Sequence, residues 1–164
     1  MSKTPILDHA AIVRKLDRMA VEIIEQFHHC DHIVMAAVAE KGSRIANELG
    51  SRIERFGGPA VLRTDLRLEK NTRTPQVTMQ PELNIESQHV VLVDDVLNTG
   101  ITLFAAAAWL LSKSPESLHT AVLLDRRHRK VPIRADVVGL TLSTTLQNHI
   151  EVHTQQPELS AWLV

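Results

Sequence analysis

From Asp8 to Phe27 apolar residues return at spacings of three and four: Ile12, Leu16, Met19, Ile23 and Phe27. That period predicts an amphipathic helix, with Asp8 placed to cap its first turn. His32 to Ala39 (HIVMAAVA) is a short apolar run of the length of one buried strand. The helical period resumes from Gly42 to Phe56, with Ile45, Leu49, Ile53 and Phe56 on one face, and Gly57-Gly58-Pro59 ends it. A strand is expected from Ala60 to Arg63. Asp65 to Gln88 keeps no sustained period; it carries Pro75 and Pro81, many charges and one candidate strand at Gln76 to Met79. His89 to Val93 (HVVLV) reads as a fully buried strand, Asp94 to Gly100 as a loop, and Ile101 to Leu111 as a helix apolar on all sides and therefore buried. Leu118 to Leu124, Ala135 to Leu140 and Ile150 to His153 complete the expected strands. Alternation of strand and helix predicts a parallel sheet with helices on both faces.

Composition narrows the class. The chain has 164 residues, 44% hydrophobic and 23% charged, which suits one globular domain over residues 1–164 with a full core. A single cysteine, Cys30, excludes an internal disulfide and fits a reducing compartment. No apolar run reaches the roughly 18 residues of a membrane span. The first residues lack the layout of a signal peptide, so a cytoplasmic protein without membrane contact is expected. Eighteen basic against 19 acidic residues leave the bulk charge silent about nucleic acid. With no tyrosine and 3% aromatics, a base-stacking surface is not expected.

The stretch VVLVDDVLNTGITL, Val90 to Leu103, concentrates the chemistry. A buried strand ends on two adjacent carboxylates, Asp94 and Asp95, at the edge where open α/β sheets bind ligands. Two ionised carboxylates cannot be buried unpaired; they call for hydroxyl donors, a metal or water. Asn98, Thr99, Gly100, Ile101 and Thr102 then turn into a helix whose first N–H groups and dipole favour an anion, phosphate above all. Carboxylates for sugar hydroxyls followed by a phosphate cradle describe a socket for ribose 5-phosphate. Neither a P-loop nor a dinucleotide fingerprint is present.

These residues resemble the phosphoribosyl pyrophosphate (PRPP) motif of type I phosphoribosyltransferases. Over Ile6 to about Val152 the chain is further similar to the PyrR family of pyrimidine-operon regulators, above all in LLDRRHRKVPIRADVVG, Leu123 to Gly139. Members of that family are uracil phosphoribosyltransferases, and some also bind mRNA. The resemblance implies a single-domain α/β fold with a small C-terminal hood, PRPP and uracil as substrates, and Mg²⁺ as cofactor. It assigns Asp94 and Asp95 to the ribose hydroxyls, with Mg²⁺ met indirectly, and Thr99, Gly100, Ile101 and Thr102 to the 5-phosphate, with Asn98 a further substrate-binding candidate. Ala39, Glu40, Lys41 and Gly42 would face pyrophosphate, with Arg126 and Arg129 as further anion ligands. Asp136, Val137 and Val138, up to Gly139, would line the base pocket. A homo-oligomer, a dimer or larger, is expected.

Departures from the family pattern keep alternatives open. The family's pyrophosphate loop reads Lys-Thr-Arg-Gly where this chain has Ala39-Glu40-Lys41-Gly42, and it has Gly at Arg127 and Tyr at Val137. Asn98 and Asp125 replace an acid and a lysine of 6-oxopurine enzymes, which argues against a 6-oxopurine. A UMP-sensing, RNA-binding regulator with little turnover, and a transferase for another base, remain alternatives. The basic run Arg126 to Arg134 reads either as a solvated loop or as a phosphate surface. His28, His29, Cys30 and His32 lack the paired spacing of a four-ligand structural zinc site and read as a polar connector.

Overall fold

The computed structural model describes residues 3–69, 76–143 and 149–164. In chain order the elements are β1 (Thr4–Leu7), α1 (His9–Phe27), β2 (His32–Val38), α2 (Lys41–Arg55), β3 (Ala60–Glu69), β4 (Gln76–Gln80), β5 (His89–Leu97), α3 (Ile101–Leu111), β6 (Ser117–Asp125), β7 (Val137–Thr141), β8 (Ile150–His153) and β9 (Ser160–Leu163). Six strands form the main sheet in the order β4-β3-β2-β5-β6-β7. All pair in parallel except β4, which runs antiparallel to β3 at the edge. The fold is α/β, with α1 and α2 over one face and α3 over the other.

Local chemistry explains the helices. Asp8 Oδ1 accepts the Ala11 N–H at 2.8 Å and closes the first turn of α1, whose stripe of Ile12, Leu16, Met19, Ile23 and Phe27 is buried as the period predicts. Ile45, Leu49 and Ile53 do the same for α2. Phe56, expected on that face, instead lies just past the helix, exposed, with the Arg55 guanidinium over its ring. Arg52 joins the two helices: it donates to Asp17 Oδ1 at 2.8 Å and to Glu48 Oε2 at 2.6 Å. Burial raises the Glu48 pKa, but the hydrogen bond and charge of Arg52, helped by Arg44, carry it below the ordinary value.

Four expectations are corrected. β3 runs on to Glu69, so the stretch beginning at Asp65 starts as strand; its charged residues alternate with Leu66 and Leu68, and β4 pairs with it through Leu66↔Met79 and Leu68↔Val77. β5 continues through Asp94 and Asp95 to Leu97, because β6 pairs with it up to Leu97↔Asp125. The helix α3 is not buried all round: Leu103, Ala106 and Leu110 face the core, while Ile101, Phe104 and Leu111 are exposed. The hood is a three-stranded antiparallel sheet in the order β1-β9-β8, so the N-terminus builds it together with the C-terminal segment. Leu7, Val152, Leu159 and Ala161 from the hood join the core under α1.

Candidate functional site

Strand β5 lies in the middle of the sheet and delivers its last residues to the carboxyl edge. The turn that follows is held by Gly100, whose φ is +83°. A Cβ there would stand 2.6 Å from Ile133 Cγ2, so both conformation and space call for glycine. Thr99, Gly100 and Thr102 line a small cavity of about 70 Å³ with Asp94 and Asn98. The Gly100 carbonyl accepts the Phe104 N–H, while the N–H groups of the first turn have no partner within the helix. Ile101 belongs to this turn through its backbone, since its side chain points outward and is half exposed.

The loop Ala39 to Gly42 arrives beside the acids. β2 pairs with β5 up to Ala37↔Val93, so the chain leaving β2 passes Asp94. A Cβ on Gly42 would lie 2.9 Å from the Val93 carbonyl oxygen and 3.6 Å from Asp94 Oδ1; only glycine lets α2 start this close to the acid. The Ala39–Glu40 peptide is cis, and Glu40 and Lys41 are exposed. Asp94 Oδ1 accepts the Asp95 N–H at 2.8 Å, and Asp95 is buried.

The basic segment after β6 is tied to the same turn. Arg126 donates its N–H to the Leu97 carbonyl and Lys130 donates to that of Thr99. Arg129, expected as an anion ligand, is a clamp. Its guanidinium donates to the carbonyls of Ile133 at 2.9 Å and Asn98 at 2.8 Å, and to Asp125 Oδ1 at 2.6 Å. Arg126 is buried, and burial pushes its guanidinium pKa down. Arg127 has φ +59°, the left-handed region, with its N–H on Asp125 Oδ1 at 2.7 Å. Residues Arg126 to Lys130 line a cavity of about 360 Å³ together with Asn98, Thr99 and His149. That cavity shares Asn98 and Thr99 with the small cradle, and the Asn98 Oδ1 is buried without a partner among the described residues. The sequence reading missed His149; no period or motif marks it, and it comes from the chain entering the hood.

β7 starts at Val137↔Ala121, so Val138 is in register with Val122 and, through it, with Asp94, two strands away across the sheet. The Asp136 carboxylate accepts the Thr120 N–H at 2.8 Å and its hydroxyl at 3.0 Å, and Val137 is core. Val138 does reach a second polar cavity of about 460 Å³, lined also by Asp125, Arg127, Arg129 and Arg134.

Comparison with known proteins agrees with this geometry. The model of the phosphoribosyl transferase domain matches residues 2–160. The bifunctional protein PyrR of Leuconostoc mesenteroides is 35% identical over 95% of this chain and 94% of its own. PyrR of Bacillus cereus is 35% identical over 95% of this chain and 93% of its own. In fold, a hypoxanthine-guanine phosphoribosyltransferase from Bacillus anthracis superposes with a TM-score of 0.81 at 20% identity, over 98% of each chain. The domain match over residues 2–160 and 35% identity to PyrR proteins over 95% of the chain make this protein a member of the type I phosphoribosyltransferase family, related to the PyrR proteins.

Proposed function

We propose that the protein transfers the phosphoribosyl group of PRPP to uracil, giving UMP and pyrophosphate, as a single cytoplasmic domain. The observation that carries this reading is the continuity of the site: the cradle includes the acid Asp94 and shares Asn98 and Thr99 with the basic cavity. The cradle N–H groups with Thr99 and Thr102 hold the 5-phosphate. Asp94 and Asp95 accept from the ribose hydroxyls and favour positive charge building at C1 as pyrophosphate leaves. Hard carboxylate oxygens at the sheet edge suit Mg²⁺, which when bound offsets the charge of the leaving pyrophosphate. Asn98 Oδ1 is free to accept an N–H of the base. Arg129 fixes the turn by holding the Leu97 and Asn98 carbonyls. The relatives named PyrR support uracil, whereas the purine enzymes share the fold. No helix of the described residues is long and apolar enough to cross a membrane.

Pyrophosphate release from PRPP and Mg²⁺ over a panel of free bases tests the proposal: uracil should be the base that supports turnover. Turnover with hypoxanthine or guanine in its place would overturn the uracil assignment.

One observation favours a second reading, a UMP-responsive regulator that binds mRNA with little turnover. Glu40 stands exposed in the loop beside Asp94 and adds negative charge where pyrophosphate would sit. An RNA titration with and without UMP, set beside the turnover assay, separates the two. A second copy of the chain is the remaining proposed partner.

A further inference from the structure

The connector between α1 and β2 meets the start of β5 at the amino edge of the sheet, opposite the edge that carries the acids. We infer that His29, Cys30 and His89 there form a binding site for a thiophilic divalent metal ion, with zinc the ion that fits best.

One ligand atom from each of the three residues lies within 4.8 Å of the other two. A tetrahedral zinc ion, with bonds of roughly 2.0–2.1 Å to nitrogen and 2.3 Å to sulfur, sets its ligands about 3.3–3.6 Å apart. Closing the site therefore takes movements on the order of 1 Å. His29 is exposed and Cys30 half-buried, so side-chain rotation supplies them without moving the sheet. The rings of His29 and His89 already meet edge to face at 5.8 Å between centroids.

His89 is prepared for the role. Its Nδ1 shares a hydrogen bond of 2.8 Å with the Ser117 hydroxyl, which orients the ring and leaves Nε2 for an ion, as an outer partner does for a metal-bound imidazole. Cys30 is set in place by its own N–H, which donates to the Phe27 carbonyl at the end of α1. The neighbouring histidines are otherwise engaged: His28 Nδ1 is 2.9 Å from the Glu25 carbonyl, and His32 Nε2 is 2.6 Å from Gln88 Oε1. A thiolate with two imidazoles selects zinc-like ions over Mg²⁺, which prefers oxygen. His89 lies five residues from Asp94 along β5, roughly 16 Å, so this site is separate from the proposed Mg²⁺ position. An ion here would clip the connector to the central strand, with water in the fourth position.

The test uses the untagged full chain, stripped with chelator and titrated with Zn²⁺ or Co²⁺ alone. One ion per chain is expected, with a thiolate-to-cobalt charge-transfer band and a raised melting temperature that excess Mg²⁺ does not reproduce. Cys30→Ser should remove the band, and Cys30→Ser or His89→Gln should each weaken Zn²⁺ binding by at least about tenfold. His153→Gln, in the hood, should leave binding unchanged. The band on the native chain decides the matter even if a variant folds poorly. No thiolate band, no ion retained, or variants that bind as tightly as the native chain would each overturn the proposal.

Discussion

Asp94 and Asp95 place two like charges on consecutive residues, one of them buried, and without ligand that is an electrostatic liability. Asp94→Asn with Asp95→Asn should abolish PRPP binding while leaving the melting temperature equal or higher; calorimetric titration and thermal melts check both halves. Thr102 contributes one of two threonine hydroxyls, with that of Thr99, to a cradle that also offers the backbone N–H groups of the helix start. Thr102→Val should therefore weaken UMP by about 1–2 kcal/mol and leave uridine unchanged, the difference marking a hydrogen bond to a charged phosphate. Equal losses for the nucleoside and the nucleotide would put the phosphate elsewhere. Glu40 acts through its charge. Ala39→Lys with Glu40→Thr exchanges a negative for a positive charge near a multiply charged anion, and exposed pairs at an effective dielectric near 20 interact by a few kcal/mol at contact. PRPP binding should tighten by roughly tenfold at low salt, and the gain should shrink as salt rises. Unchanged or weaker binding at both ionic strengths would mean that this loop does not bear on pyrophosphate.

At the scale of elements, the segment after β6 is a brace for the β5–α3 turn. Asp125 holds the Arg127 N–H and the Arg129 guanidinium, and Arg129 passes that constraint to the Asn98 and Ile133 carbonyls. The brace forces Arg127 to φ +59°, where a side chain costs about 1–2 kcal/mol and glycine nothing. Glycine, which the family resemblance implies at this position, adopts this φ without that cost. Arg127→Gly should raise stability to urea by up to about 1 kcal/mol, the gain reduced by glycine's greater freedom when unfolded. A loss of stability would show that the guanidinium does more for the fold than the strain it imposes. The pattern of apolar residues made α1, α2, β2, β6 and β8 legible, since each has a period or a run set by its own burial. β3 beyond Arg63 was not legible: Asp65, Arg67 and Glu69 alternate with apolar residues on a strand whose outer partner, β4, follows later in the chain.

For the whole molecule, α3 is the face on which self-association is expected. Ile101, Phe104 and Leu111 form an exposed apolar stripe at spacings of three and seven, the geometry with which a helix packs against a copy of itself about a twofold axis. Phe104→Glu with Leu111→Glu should shift the chain toward monomer in sedimentation velocity; an unchanged distribution would place self-association on another face. The sequence by itself determined the α/β class, the run of acids, turn and helix, and the family resemblance, because each is written in contiguous residues whose burial and capping are local. Tertiary structure decided the rest, because long-range pairing brings together residues that no local period connects. The hood needs Thr4 against Leu163, at the two ends of the chain. Asp136 and Val137 follow the basic segment in sequence, but pairing decides their surroundings: Thr120 occupies the Asp136 carboxylate and Val137 packs into the core. His149 reaches the cavity beside Asn98 from the hood side. His89 joins His29 and Cys30 because β5 pairs with β2 through Val34↔Val90, which sets the first residue of one strand beside the connector that leads into the other.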